Sequence, residues 1–199
     1  MSPRSLFRAV AAAALLAVLA ACARTPEPWQ LDDVSGHLPN LAFKLTSDIG
    51  NPVTASDYAG KVNILYFGYT HCPDVCPLTL THLHVMLQRL GAEADGVHVL
   101  FVSVDPARDT PDVLHEYVTA FDSHVTGLTG TPQQVEALAK RYRAAFSRDP
   151  GDANDKYEVS HSSAIYVFDR DGRARLLGTP INTVDQITHD VKRLLAEHS

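Results

Sequence analysis

Methionine is scarce in this 199-residue chain, with only Met1 and Met86, and cysteine is limited to three residues. So few thioethers exclude a methionine-rich metal site. Basic blocks are absent: 17 Lys and Arg are scattered among 23 Asp and Glu, for a formal charge of -6. A nucleic-acid binder concentrates positive charge on one face or along one helix, so no nucleic-acid partner is expected. No internal repeat is present, which excludes solenoid and array architectures. Nor is there an uninterrupted apolar segment of the roughly 20 residues that a membrane-spanning helix needs. What remains is enough chain, 45% of it hydrophobic, for one domain of ordinary size.

The N-terminus reads differently from the rest. Arg4 and Arg8 precede an apolar run from Ala9 to Leu19, and small residues lead on to Cys22, the pattern of a secretory signal. Leu19-Ala20-Ala21-Cys22 also resembles the bacterial lipoprotein signal, in which cleavage before the cysteine is followed by its acylation. The expected organisation is a lipoprotein signal over residues 1–21, a tether from acylated Cys22 over residues 22–40, and a folded domain over residues 41–199. Several acyl chains on one residue hold a protein durably on a lipid membrane, whereas a single chain binds only marginally. The expected location is therefore periplasm-facing and lipid-anchored. Ala23 stands where an inner-membrane retention signal has aspartate, which leaves either membrane open. Loss of residues 1–21 removes Arg4 and Arg8, so the charge of -6 becomes -8. Pro26, Pro28, Gly36 and Pro39 break any periodicity between Arg24 and Asn40, as in a linker.

Within the domain, Phe43 and Leu45 alternate with polar neighbours, Asp48–Asn51 has turn chemistry, and Val53 resumes the extended pattern, which predicts a hairpin. The apolar run Val62–Phe67, interrupted only by Asn63, predicts a strand buried on both faces. Leu80, Leu83, Leu87 and Leu90 recur at helical spacing and predict a helix from Pro77 to Ala92, with Pro77 at a first-turn position that needs no N–H partner. A strand over Val97–Val104 follows, then helices opened by Thr110-Pro111 and Thr131-Pro132, the second with Val135, Leu138, Ala139 and Tyr142 on one face. Ala164–Phe168 and Ala174–Leu177 flank the turn Asp169–Gly172 as a second hairpin, and a helix runs from Thr183 to Glu197. This alternation predicts an α/β protein with a thioredoxin-like fold: a central mixed β-sheet flanked by helices, with an N-terminal β-hairpin.

With Cys22 assigned to lipid, Cys72 and Cys76 form a pair, spaced Cys-Pro-Asp-Val-Cys between a buried strand and a helix start. That is the place of a thioredoxin redox motif, but with three intervening residues instead of two. A disulfide needs its sulfurs about 2.0 Å apart, whereas two thiolates that share a metal at about 2.3 Å each sit further apart, as a longer loop permits. Thiolates are soft ligands that select copper(I) or zinc, and a helix N-terminus favours the thiolate, although Asp74 opposes it locally. The spacing alone leaves a redox disulfide and a half-built metal site both open.

The flanking residues are more specific. The run Phe67-Gly68-Tyr69-Thr70-His71-Cys72-Pro73-Asp74-Val75-Cys76-Pro77 closely resembles the signature of the Sco family, also called SenC. Residues Val102 to Pro111 and Tyr157 to Ser163 resemble that family's second and third blocks, and the likeness spans about residues 36–197. It implies a copper site, holding Cu(I) or Cu(II), with Cys72, Cys76 and His161 as ligands. By analogy Asp105 shapes the cysteine loop or accepts an outer hydrogen bond. Many relatives have an acidic residue where this chain has Ser160. His71 stands next to a ligand cysteine, His82 and His84 read as a solvated polar face of the following helix, Arg108 and Asp109 as loop charges or a helix cap, and Trp29 as either exposed or docked. Pro180 falls near the cis-proline position of thioredoxin-like folds, with its isomer open.

The resemblance implies a copper chaperone that receives the ion from a periplasmic donor and delivers it to subunit II of cytochrome c oxidase. Its alternative is a thiol-disulfide oxidoreductase, in which the redox-active thiols Cys72 and Cys76 reduce the cysteines of that copper site; any enzymatic activity belongs to this reading. An oxidising compartment favours a disulfide between the two thiols, so either role calls for a periplasmic thiol reductant. A peroxidatic arrangement of Pro, Thr and Cys is missing.

Overall fold

The computed structural model describes residues 27–149 and 157–197. The expected signal and Cys22 lie outside the described residues. The long apolar runs form the centre of an eight-stranded mixed sheet, in the order β1 (Asp32–Asp33), β10 (Ala174–Gly178), β9 (Ile165–Phe168), β4 (Val62–Gly68), β5 (Val97–Ser103), β6 (Val125–Thr129), β2 (Lys44–Ser47) and β3 (Pro52–Thr54). Strands β4, β5 and β6 are parallel, with Tyr66 beside Phe101 and Gly68 beside Ser103, while β9 joins β4 from the other side in antiparallel register. Every residue of β4 is buried, as a two-sided strand requires. Its polar member, Asn63, is accommodated because its amide donates to the carbonyls of Tyr58 and Lys61.

The expected hairpin is β2–β3, paired Leu45 to Val53, with Gly50 at φ +80° in its turn. Among the described residues four α-helices flank the sheet: α1 (Val75–Leu90), α2 (Pro111–Thr119), α3 (Pro132–Arg141) and α4 (Val184–Ala196). Helix α1 packs against α4, and α2 against β6. Thr110, Thr131 and Thr183 cap α2, α3 and α4 by accepting the backbone N–H of Val113, Gln134 and Gln186, each three residues on. The fold expectation thus agrees with the structure, a mixed sheet between helices with an N-terminal hairpin.

Four strands were not foreseen. In β6, Thr126 and Gly127 blur the apolar signal; Gly127 suits a tight position, since a Cβ there would meet Leu114 at 3.0 Å and Asp48 at 3.1 Å. Strand β1 falls in the expected tether. Its partners are Leu176 and Leu177, Leu31 beside it is buried, and the N–H groups of Gln30 and Leu31 donate to Asp190 at 2.9 and 2.7 Å. Trp29 docks with its ring 3.9 Å from the Arg193 guanidinium. The packed body therefore extends back at least to Trp29. Strands β7 (Phe146–Arg148) and β8 (Val159–His161) make a separate two-stranded ribbon, which is created by pairing across a distant chain segment. Helix α1 starts at Val75, earlier than Pro77, and ends at Leu90 in a 3-10 turn over Gly91–Gly96. No peptide bond among the described residues is cis, so Thr179–Pro180 is trans.

Candidate metal centre

Strand β4 ends at Gly68, and a six-residue loop leads into α1, so both cysteines lie where a central strand hands over to a helix N-terminus. Cys72 closes a turn through its N–H to the Tyr69 carbonyl at 3.3 Å, and Cys76, in the first turn of α1, donates its N–H to Cys72 Sγ at 3.4 Å. Both thiols are free and buried, Cys72 at 8% exposure and Cys76 at 0%. Glycine at 68 makes room for the second sulfur. A Cβ there would sit 2.8 Å from Cys76 Sγ and 2.6 Å from the Phe101 ring.

His161 arrives from the other side, at the end of β8. Its Nε2 lies 3.2 Å from Cys76 Sγ. Its Nδ1 is 3.0 Å from the Ser162 carbonyl, which can only accept, so Nδ1 carries the proton and Nε2 turns its lone pair toward the sulfurs. The rings of Tyr69 and Tyr66 meet the imidazole edge-on at 5.8 and 6.1 Å between centroids and fix its plane. Cys72, Cys76 and His161 each offer a ligand atom within 4.8 Å of the others, and they are the sole such group of three among the described residues. His71 bonds Thr70 and His84 bonds Asp122, and neither these nor His82 joins the group. Ser160 is exposed.

Burial sets the protonation states. It pushes the Cys76 thiol up to about 12. It also lowers the His161 pKa, so the imidazole is neutral at pH 7. The helix N-terminus alone would have favoured a thiolate at Cys76; desolvation outweighs it, and the sulfur loses its proton only to an incoming cation.

The residues around the centre act from two directions. Asp105, 4% exposed, does not touch either sulfur: it accepts the Tyr157 hydroxyl at 2.6 Å and the Arg108 Nε. The Arg108 guanidinium covers the Tyr157 ring at 3.7 Å and donates to the Tyr157 carbonyl at 3.2 Å. Asp105 therefore ties down the approach to β8 and His161. The cysteine loop is held by Asp109, whose carboxylate accepts the N–H and hydroxyl of Thr70 at 3.1 and 2.6 Å and the Ser103 hydroxyl at 2.5 Å. Asp109 is 0% exposed. Sequence reasoning passed over it as a loop charge; its place beside the Thr110 cap gave no sign that its side chain turns inward. Arg108, read likewise, is stacked between loop and ribbon.

Residues 35–196 match the SCO1/SenC family. The chain belongs to that family. Among curated SCO1/SenC relatives, the mitochondrial protein SCO2 of Saccharomyces cerevisiae is 44% identical over 135 residues, covering 66% of this chain and 44% of its own length. Protein SenC of Rhodobacter capsulatus is 42% identical over 128 residues, 64% of this chain and 57% of its own. The chain thus spans about half the length of these relatives. Among solved structures, Bradyrhizobium japonicum ScoI with copper bound is 37% identical with a TM-score of 0.71, covering 78% of this chain and 98% of its own. Yeast Sco1 with copper bound is 36% identical with a TM-score of 0.70, covering 77% and 90%. The thioredoxin-like Sco architecture is therefore shared along nearly the whole of those chains.

Proposed function

We propose that this protein is a copper carrier, binding one ion through Cys72, Cys76 and His161 and passing it on for assembly of the copper site of cytochrome c oxidase. The observation that carries the reading is the convergence of two sulfurs and an imidazole nitrogen within 4.8 Å, contributed by a helix N-terminus and a separate ribbon. Two thiolates neutralise the charge of the cation and suit Cu(I), while the imidazole adds a nitrogen that Cu(II) favours, so one site tolerates both oxidation states. The described relatives solved with copper share this fold and family. Binding displaces the Cys76 proton, and release requires an incoming ligand to bind the ion before a cysteine leaves. Subunit II of the oxidase is the proposed acceptor and a periplasmic protein the donor. Acylated Cys22 is the proposed link to the membrane, on the lipoprotein-like run Leu19-Ala20-Ala21-Cys22.

Metal analysis of the reduced domain tests the site: about one equivalent of copper in the native protein, lost in Cys72→Ser, Cys76→Ser and His161→Ala. Copper retained at one equivalent in all three variants refutes it.

A second reading, thiol-disulfide exchange, is favoured by Cys72, the less deeply buried of the two, lying against the backbone of Cys76. Cys72 would attack and Cys76 would resolve the mixed disulfide, with a periplasmic thiol reductant restoring the pair. His161→Ala separates the two roles: it abolishes copper retention and leaves disulfide reduction intact.

A further inference from the structure

His161 reaches the centre on a strand that does not belong to the eight-stranded sheet. Among the described residues β8 pairs only with β7, Phe146 facing His161 and Arg148 facing Val159. The imidazole is therefore only as well placed as the ribbon is fastened. The fastening is at Tyr157, a buried residue two positions before β8. Its ring centroid lies 3.7 Å from the Arg108 guanidinium and 3.4 Å from that of Arg148. Two guanidinium groups that close to one centroid would overlap on a single face, so the ring is sandwiched between them, and each contact is a cation–π pair. The Tyr157 hydroxyl donates to Asp105 at 2.6 Å, and Asp105 in turn accepts from Arg108 Nε. Arg108 belongs to the loop after β5, Arg148 to β7 and Tyr157 to the entry of β8, so one ring joins the ribbon to the body of the fold. The cysteines have separate supports: Cys76 stands in the first turn of α1, and the Cys72 loop is clamped through Thr70 by Asp109. Where the two supports meet, the Tyr69 hydroxyl accepts the Val159 N–H at 3.5 Å.

We infer that Tyr157 is a positioning residue for His161, its ring clasped by Arg108 and Arg148 so that the ribbon holds the imidazole against the cysteine pair. The inference rests on the copper reading above and deepens it. Soft sulfurs select Cu(I), whereas Cu(II) favours nitrogen and a more tetragonal set of ligands, so the imidazole matters more to the oxidised ion. A ligand group serves a metal only when it is held within about 0.5 Å of its working place by groups that are themselves locked. Loosening the ribbon therefore weakens Cu(II) more than Cu(I). The clasp sets the balance between the two oxidation states without touching the ion.

The test compares Tyr157→Leu, which removes the ring and hydroxyl and keeps apolar bulk, with Tyr157→Phe, which keeps the ring between the two guanidiniums. By amide hydrogen exchange without added metal, Tyr157→Leu should lose protection in β7 and β8 while β4, β5 and α1 keep theirs. By chelator competition, the same variant should bind Cu(II) about a hundredfold more weakly and Cu(I) no more than about tenfold, the range in which supporting groups act on metal affinity. That tenfold difference raises the midpoint potential of the Cu(II)/Cu(I) couple by about 59 mV. Tyr157→Phe should restore most of both affinities. Leu194→Ala, which opens a cavity under α4, is the control: it should lower thermal stability and leave the ratio of the two affinities as in the native protein. Should Tyr157→Leu fail to fold, Arg148→Gln opens one side of the clasp and is held to the same outcomes. Equal losses of Cu(I) and Cu(II), undiminished Cu(II) affinity, a Tyr157→Phe as weak as Tyr157→Leu, or the same change of ratio in Leu194→Ala overturns the inference and leaves the copper site standing. Failure of the native protein to bind copper overturns the carrier reading itself.

Discussion

Asp109 clamps Thr70 twice, accepting its N–H at 3.1 Å and its hydroxyl at 2.6 Å from a carboxylate with no exposed surface. Thr70 stands two residues before Cys72, and Ser103 at the end of β5 gives Asp109 a third donor. The loop that carries the first sulfur is thus bolted to the strand next door.

Removing that bolt should disturb both stability and the site. Asp109→Ala leaves the Thr70 N–H and the Ser103 hydroxyl without their acceptor, at a cost of about 2 to 3 kcal/mol in denaturant unfolding. Asp109→Asn, which keeps an acceptor oxygen, should lose less than half as much. Copper affinity, measured by competition with a chelator, should drop about tenfold or more in the alanine variant. An alanine variant with native stability and affinity would deny Asp109 its structural part.

The seat of the second sulfur is equally specific. Gly68→Ala places a methyl 2.8 Å from Cys76 Sγ and 2.6 Å from the Phe101 ring. Both neighbours are held in a packed core, so overpacking should cost about 1 to 3 kcal/mol. The expected signature is lower thermal stability together with weaker copper retention.

A pH dependence of stability follows from a residue remote from the sulfurs. Burial, with the positive charges of Lys61 and His124 behind it, depresses the pKa of His98 to about 4 from the usual 6.5. Its Nδ1 is buried without a partner, and its ring stands edge-on to Tyr58 at 5.1 Å. As pH falls below about 6.5 the unfolded chain takes up a proton that the folded chain refuses until about 4. Stability present above pH 6.5 is therefore lost across that window, by about 2 to 3 kcal/mol. Urea unfolding of His98→Gln should show a flatter profile between pH 6.5 and 4 than the native protein.

Proton release should accompany metal uptake. Because burial raises the Cys76 pKa to about 12, the sulfur carries a proton at pH 7 until copper displaces it. That proton makes apparent affinity rise about tenfold per pH unit below this pKa. Calorimetric titrations of Cu(I) in buffers of different ionisation enthalpy should report a released proton that Cys76→Ser lacks.

The parts legible in the sequence were those written in local pattern. The uninterrupted apolar runs of β4 and β5, the Thr-Pro openings of α2 and α3, and the cysteine spacing all declare themselves within a few residues. His161 was singled out from ten histidines through its flanking motif. The rest depends on contacts between segments far apart. Strands β7 and β8 exist because Phe146 pairs with His161 and Arg148 with Val159. Strand β1 is two exposed aspartates, which carry no hydrophobic signal and are strand only through Leu176 and Leu177. Asp109 and Arg108 look like loop charges until folding turns one inward against Thr70 and stacks the other on Tyr157.

The two sulfurs differ in their access to solvent, Cys72 at 8% and Cys76 at 0%. On the carrier reading proposed above, a visiting protein meets Cys72 and the half-buried His161 edge before Cys76. Hand-over would then have a direction: the outer contacts are exchanged at the surface, and the deep sulfur is the last grip to open.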